Sequence, residues 1–347
     1  MARRTLAEIK TDALLLANCH DIDDISYRLK TSKNEIQLYS LHPTYYSFPV
    51  HKSNGGIREV EAPHYELKTI QRQLNYYLQA LYFEHQTPVS YGYIIGAKNK
   101  KNLKTIVSNA EQHLGNRYMI NADFENFFHQ IKLNDVVTVF SGSMLDFNQK
   151  SAFILAKLCT YNNRLPMGAP TSPVLSNLYA IPLDNELQQW AKNRGIVFTR
   201  FVDDLTFSSD TVQINPKHLD EIVEICNKYN LQLNGHTTKF SGSGDTKIVT
   251  WLVLNKTVDI QPEFYERIHK DLKRLKSIYE VSVLASQVEN NPLLEKFKKE
   301  VLGEVNFIGM VEGYGSPIFK NYHSQYQKAL EVEEELFSMR WTNFSYL

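Results

Sequence analysis

Two adjacent carboxylates, Asp203 and Asp204, stand between apolar runs at 195–201 and 205–208. That pattern reads as strand, tight turn, strand, with the acids at the tip. Adjacent aspartates repel one another and cost stability unless a cation sits beside them. A third acid, Asp123, closes another apolar strand at 118–122. Three carboxylates on the tips of neighbouring strands make a hard oxygen site suited to magnesium. Two such ions can activate a hydroxyl and stabilise a leaving pyrophosphate in phosphoryl transfer. An isolated Asp-Asp is more often a solvated turn, since aspartate favours turns for its own reasons. The surrounding segments decide between these readings.

The chain has 347 residues, 43% hydrophobic and 22% charged, which suits two or three subdomains. Its 20 Tyr and 18 Phe supply stacking surface. The formal net charge of zero argues against a nucleic-acid partner unless local basic patches hold the phosphates. Cys19, Cys159 and Cys226 are scattered, without zinc spacing, as in a reducing cytosol. Met1-Ala2-Arg3-Arg4 could open a leader, but Glu8, Lys10 and Asp12 interrupt its apolar core. No apolar stretch approaches a membrane span.

The elements that must position the acids follow from periodicity. Leu6, Ile9, Ala13 and Leu16 predict an N-terminal helix. Strands at 45–51 and 57–62 flank Lys52-Ser53-Asn54-Gly55-Gly56, a hairpin signal. Leu67, Ile70, Leu74, Leu78 and Leu81 share one helical face. A strand or loop at 89–97 leads to a basic cluster, Lys98, Lys100, Lys101 and Lys104, and a helix at 102–114. Helices follow at 133–140 and 149–160. A Pro/Gly loop at 165–170 enters one long helix, with Thr171 or Ser172 as cap and Pro173 in its first turn. Beyond the Asp203-Asp204 hairpin come a helix at 216–229 and a single strand at 248–254. The pattern is helical from Pro262 onward.

Asn121-Ala122-Asp123-Phe124-Glu125-Asn126-Phe127-Phe128 resembles the first catalytic motif of reverse transcriptases. The resemblance implies that Asp123 binds both metals. It also implies that Phe128 lies beneath the incoming sugar and excludes a 2′-hydroxyl; Phe127 reads as an ordinary core residue. Leu165-Pro166-Met167-Gly168-Ala169-Pro170, followed by Thr171-Ser172-Pro173, resembles the family's Leu-Pro-Gln-Gly-x-Pro loop. Gly168 would let the backbone approach the nucleotide. Met167 departs from the usual Gln and loses a hydrogen-bonding side chain. Phe201 replaces the more common Tyr, and Val202 would underlie the primer end. Lys52 and Arg58 resemble the basic residues of the fingers hairpin, which clamp triphosphate oxygens. Lys239 matches a later palm lysine that neutralises or protonates the leaving pyrophosphate.

Two further segments resemble the retron branch of that family. Asn109-Ala110-Glu111-Gln112-His113 matches its Asn-Ala-x-x-His pattern, and Val249-Thr250-Trp251-Leu252 its Val-Thr-Gly-Leu, with Trp251 in place of Gly. His113 reads as structural or RNA-contacting. The segment at 302–309 resembles a thumb helix, and Arg267, Lys270 and Arg274 share a face of the helix before it.

The resemblance implies an α+β right-hand polymerase. Its expected parts are N-terminal helices and fingers at 1–117, a palm at 118–255 with 148–170 returning to the fingers, and a helical thumb at 256–347. Asp123, Asp203 and Asp204 would hold two Mg2+ ions, with Mn2+ as a substitute. Phe124, Phe128, Lys52, Arg58, Met167, Gly168 and Lys239 would line the dNTP site. Asn109, His113, Arg267, Lys270 and Arg274 would meet RNA or duplex. The expected substrate is a cognate structured non-coding RNA, copied from a 2′-hydroxyl into DNA that stays joined to it. An effector protein encoded nearby and a role against phage in the bacterial cytoplasm complete the expectation, with no membrane partner and no ribonuclease H domain. The alternatives are another lineage (group II intron or diversity-generating), a silent RNA-binding scaffold, and a palm-like nucleotide cyclase.

Overall fold

The computed structural model describes residues 4–51, 55–98, 103–284, 288 and 291–331. They form two compact units that divide between Asp245 and Thr246, upstream of the expected palm–thumb boundary.

In the first unit a Thr5–Glu8 capping box starts α1 (Leu6–Ala17), which buries Ile9, Ala13 and Leu16. Two short helices, α2 (Ile22–Leu29) and α3 (Lys33–Leu41), follow; neither was anticipated from periodicity. Asp21 caps the first, and Ser32 with Glu35 boxes the second. The hairpin forms as β1 (Tyr45–His51) and β2 (Ile57–Pro63), while Lys52 and the rest of the turn at 52–54 lie outside the described residues. The long helix α4 (Tyr65–His85) buries Leu67, Ile70, Leu74, Leu78 and Leu81 as its spacing requires. The 89–97 segment is a loop. After it come α5 (Ile106–Glu111), β3 (Tyr118–Asp123), α6 (Phe127–Gln130), α7 (Leu133–Ser141) and α8 (Gln149–Cys159).

The expected long helix after Pro170 is two helices, α9 (Ser172–Tyr179) and α10 (Ile181–Lys192). Pro182, in the first turn of α10, has no N–H to continue the ladder, so the helix breaks at Ala180. The expected cap is also corrected. Thr171 makes no side-chain capping bond, and Ser172 Oγ instead donates to the Pro166 carbonyl at 2.6 Å, closing the loop. The unit ends with β4 (Val197–Phe201), β5 (Asp204–Ser209), α11 (Pro216–Lys228) and β6 (Lys239–Ser241). Its sheet runs β4-β5-β3-β6, all antiparallel. Ile120, Ala122, Leu205 and Phe207 pack from the sheet into the main core.

In the second unit the expected single strand is a hairpin, β7 (Lys247–Val249) and β8 (Leu252–Leu254), extended by β9 (Val258–Ile260). Thr250 and Trp251 form its turn, with φ of 45° and 69°. Three helices follow: α12 (Pro262–Leu284), α13 (Pro292–Glu312) and α14 (Pro317–Lys328). Among the described residues no helix is long and apolar enough to cross a membrane.

Candidate active site

The β4–β5 hairpin pairs Phe201 with Asp204, which leaves Val202 and Asp203 as its two turn residues. On the other side of β5, Asp123 ends β3 directly opposite Asp204. The Phe124 amide donates to the Asp203 carbonyl at 3.1 Å and ties the two strand ends together. Three carboxylates therefore share one end of the sheet. The consequence is electrostatic: burial, then Asp203 and Asp123, push the Asp204 carboxyl up to about 7. Burial and Asp123 also raise Asp203, against the pull of Arg58 and Arg200. Asp123 Oδ1 accepts the Thr237 hydroxyl. Among the described residues no three His, Cys, Asp or Glu side chains close on a single point.

The turn rests on a buried network. Arg200 is fully buried, as is its partner Asp184. Its Nε and a terminal nitrogen reach the Asp184 carboxylate at 2.6 and 2.8 Å, a two-point pair. The other terminal nitrogen bonds Asn177 Oδ1 at 3.0 Å and the Val202 carbonyl at 2.9 Å. Burial alone would lower the guanidinium's pKa, and Asp184 more than reverses that. Val202, at φ 61°, is a β-branched residue in left-handed backbone, so the turn is strained by about 1–3 kcal/mol. Gly92 fits against it: a Cβ there would lie 2.5 Å from Val202 Cγ2 and 2.8 Å from its amide. The Arg200 amide donates to the Val89 carbonyl at 2.8 Å and its carbonyl accepts from the Tyr91 amide at 2.9 Å, so Ser90 runs parallel to β4 there. Sequence reasoning missed Arg200, Asp184 and Gly92. The one legible signal was a charged residue within an otherwise uncharged strand, Val197-Phe198-Thr199-Arg200-Phe201.

Residues 50–256 match the family profile described as reverse transcriptase (RNA-dependent DNA polymerase). The Escherichia coli retron Ec86 reverse transcriptase is 31% identical over 265 residues, covering 75% of this chain and 79% of that protein. The Myxococcus xanthus retron Mx65 reverse transcriptase is 27% identical over 274 residues, covering 71% of this chain and 61% of that protein. The chain belongs to the retron reverse transcriptases. This reverse transcriptase is an RNA-directed DNA polymerase with an RNA template as partner, and its α+β fold is of the right-hand polymerase class. Among solved structures, the Candida albicans telomerase in complex with a fragment of telomeric RNA aligns with a TM-score of 0.43 and 11% identity. That alignment covers 85% of this chain and 62% of the telomerase.

The other expected site residues of the reverse transcriptase divide by burial. Arg58 is exposed on β2 and acts electrostatically on Asp203. Phe128 and Met167 are half-buried, and Lys239 is exposed on β6 opposite Asn121. Phe124 is corrected: its ring is buried and stacks on Phe127 at 5.1 Å, so it belongs to the core rather than to a nucleotide pocket. Gly168 has a local reason to be glycine. Its amide donates to the Glu61 carbonyl at 3.0 Å, and a Cβ would lie 2.5 Å from that oxygen. The loop is thereby docked on β2, helped by an Arg164–Glu61 ion pair at 2.9 Å.

Asn109 is corrected as an RNA contact, and His113 takes the structural of its two readings. Both are buried, and His113 bridges Ser208 and Thr199 at 2.6 and 2.7 Å. Burial pushes its pKa down to about 3, so it stays neutral and clamps β4 to β5 instead of meeting RNA. In the second unit Arg267, Lys270 and Arg274 are exposed on α12. Arg267 lies 3.2 Å from Glu304, and Arg274 stands over the Phe297 ring.

The acidic end of the sheet fits a divalent metal by its donor set. Three hard oxygen donors share that strand end without closing on one point, and their mutual repulsion is the term a cation would relieve.

Proposed function

We propose that this chain copies a cognate structured non-coding RNA into single-stranded DNA, starting from a 2′-hydroxyl of that RNA and leaving the two joined. The observation that carries the reading is the acidic strand end, where Asp204 is pushed up to about 7 by burial and two neighbouring acids. Asp123, Asp203 and Asp204 would hold two Mg2+ ions, which supply hydroxyl activation and pyrophosphate stabilisation when bound. The chain's own residues do the rest. Arg58 and Lys52 hold triphosphate oxygens of the dNTP. Phe128, half-buried five residues after Asp123, excludes ribose by size. Met167 and Gly168 border the nucleotide, and Lys239 faces the leaving group. Arg267, Lys270 and Arg274 follow duplex phosphates.

We assign fingers to 1–117, palm to 118–255 with 148–170 returning to the fingers, and thumb to 256–347. The enzyme acts in the bacterial cytoplasm with an effector protein encoded nearby, in defence against phage.

The test is purification from cells carrying the native flanking DNA. The bound nucleic acid is compared after RNase, DNase and debranching on one denaturing gel. DNA that shortens on RNase treatment and on debranching is the expected product. DNA indifferent to debranching would rule out 2′-priming, and RNA without DNA would favour a silent scaffold.

A further inference from the structure

The end of α2 and the outer side of α4 enclose a recess of about 470 Å³. It is lined by three cations, Arg28, Lys30 and Arg72, and by Tyr65, Tyr76 and Tyr77, with no acid among its lining residues. Among the described residues none of the three cations carries an ion pair. The α4 helix is thus two-faced. Leu67, Ile70, Leu74 and Leu78 turn into the core, while Tyr65, Thr69, Arg72 and Tyr76 follow one another along the recess at helical spacing. A solvated face would normally mix both signs of charge. Lys30 caps α2 in left-handed backbone at φ 50°, a position where glycine would be relaxed. Arg28 Nε is buried without a hydrogen-bond partner. One face of Tyr76 is already covered by the Arg4 guanidinium, 4.0 Å from its centroid. Tyr77 packs against the core and edge-on to Tyr76, so Tyr65, 76% exposed, is the ring left for a ligand.

We propose that this recess binds a nucleotide of single-stranded RNA, with phosphates on Arg28, Lys30 and Arg72 and a base stacked on Tyr65. The cations select a polyanion, and the rings select one whose flat faces are free, as bases are only outside a duplex. A local site of this kind lets a chain of zero net charge hold RNA. The inference rests on the reading of this chain as an RNA-copying enzyme.

The test is anisotropy of a labelled single-stranded RNA against the full chain over a salt series. Extension of a primed RNA template at saturating concentration runs beside it. Arg28→Gln/Lys30→Gln/Arg72→Gln is expected to bind at least about tenfold more weakly and to flatten the salt slope by about 2, the value for three lost phosphate contacts on a single strand. Tyr65→Ala is expected to lose about tenfold with the slope unchanged. Both are expected to extend primer at the parental rate. Parental affinity and slope in both variants would overturn the inference and leave the polymerase standing. Loss of extension in the parent chain would instead strike at the polymerase reading. If the parent binds polyglutamate as tightly as RNA through the same cations, the recess is an indiscriminate anion patch and the inference fails.

Discussion

The β4–β5 turn and the β7–β8 turn each join antiparallel strands through two residues, and each holds non-glycine backbone at positive φ. Val202 stands at 61° in the first, and Thr250 and Trp251 at 45° and 69° in the second. Their surroundings differ. Val202 is 7% exposed, its carbonyl held by Arg200 and its far side filled by Gly92. Trp251 is 63% exposed, and its carbonyl accepts a bond from Gln261 at 2.8 Å. Strain persists only where surrounding structure over-determines it. At the acidic turn that structure is buried, so the half-buried acids keep one position. In the second turn Thr250 is buried and Trp251 is exposed, so a substitution at Trp251 bears only on that residue's share of the strain.

Four variants break or sharpen this contrast. Arg200→Met leaves Asp184 buried and unpaired and is expected to cost about 3–5 kcal/mol by urea unfolding. A loss under about 1 kcal/mol would mean that the turn does not depend on the network. Gly92→Ala forces its new methyl into Val202 and is expected to cost about 1–3 kcal/mol, with a larger proportional fall in primer extension. Extension at the parental rate would show that the turn tolerates displacement.

His113→Gln, beneath the same hairpin, is expected to cost about 1 kcal/mol at neutral pH through altered hydrogen bonds. Its pH profile is the sharper readout. The folded-state pKa of His113 is depressed to about 3, so its stabilisation is present above the unfolded value near 6.5 and is lost as pH falls toward 3. The Gln variant should lose less stability over that window; an unchanged acid limb would assign it to other groups. The smallest effect is expected from Trp251→Gly. Relief of left-handed strain offsets the entropy of glycine and raises stability by up to about 1 kcal/mol. A lower Tm would mean that contacts of the indole outweigh the strain.

The sequence made legible what is periodic or local. Leu67 to Leu81 marked α4, the Asn-Gly pair marked the first hairpin, and the acids at the edges of apolar strands placed Asp123 and the Asp203-Asp204 pair on neighbouring strand tips. The short helices α2 and α3 lacked an apolar stripe long enough to read, although Ser32 and Glu35 carried a capping box. The hairpin at 248–254 was hidden because neither Thr250 nor Trp251 is a turn residue by type. His113 and Arg200 are polar residues whose burial depends on distant partners, Ser208 and Asp184, and no local pattern encodes such pairings. Phe124 was misplaced for the same reason, since strand alternation ends at Asp123 and gives no face for the residue after it.

The central claim is that the acidic strand end performs RNA-templated DNA synthesis. Its most direct test is extension of a primed RNA template with dNTPs and Mg2+, comparing the parent with Asp203→Ala/Asp204→Ala, while unfolding and RNA binding are followed in parallel. The account predicts DNA synthesis by the parent and none above background from the variant, which still folds and binds RNA. Parental synthesis by that variant would contradict it.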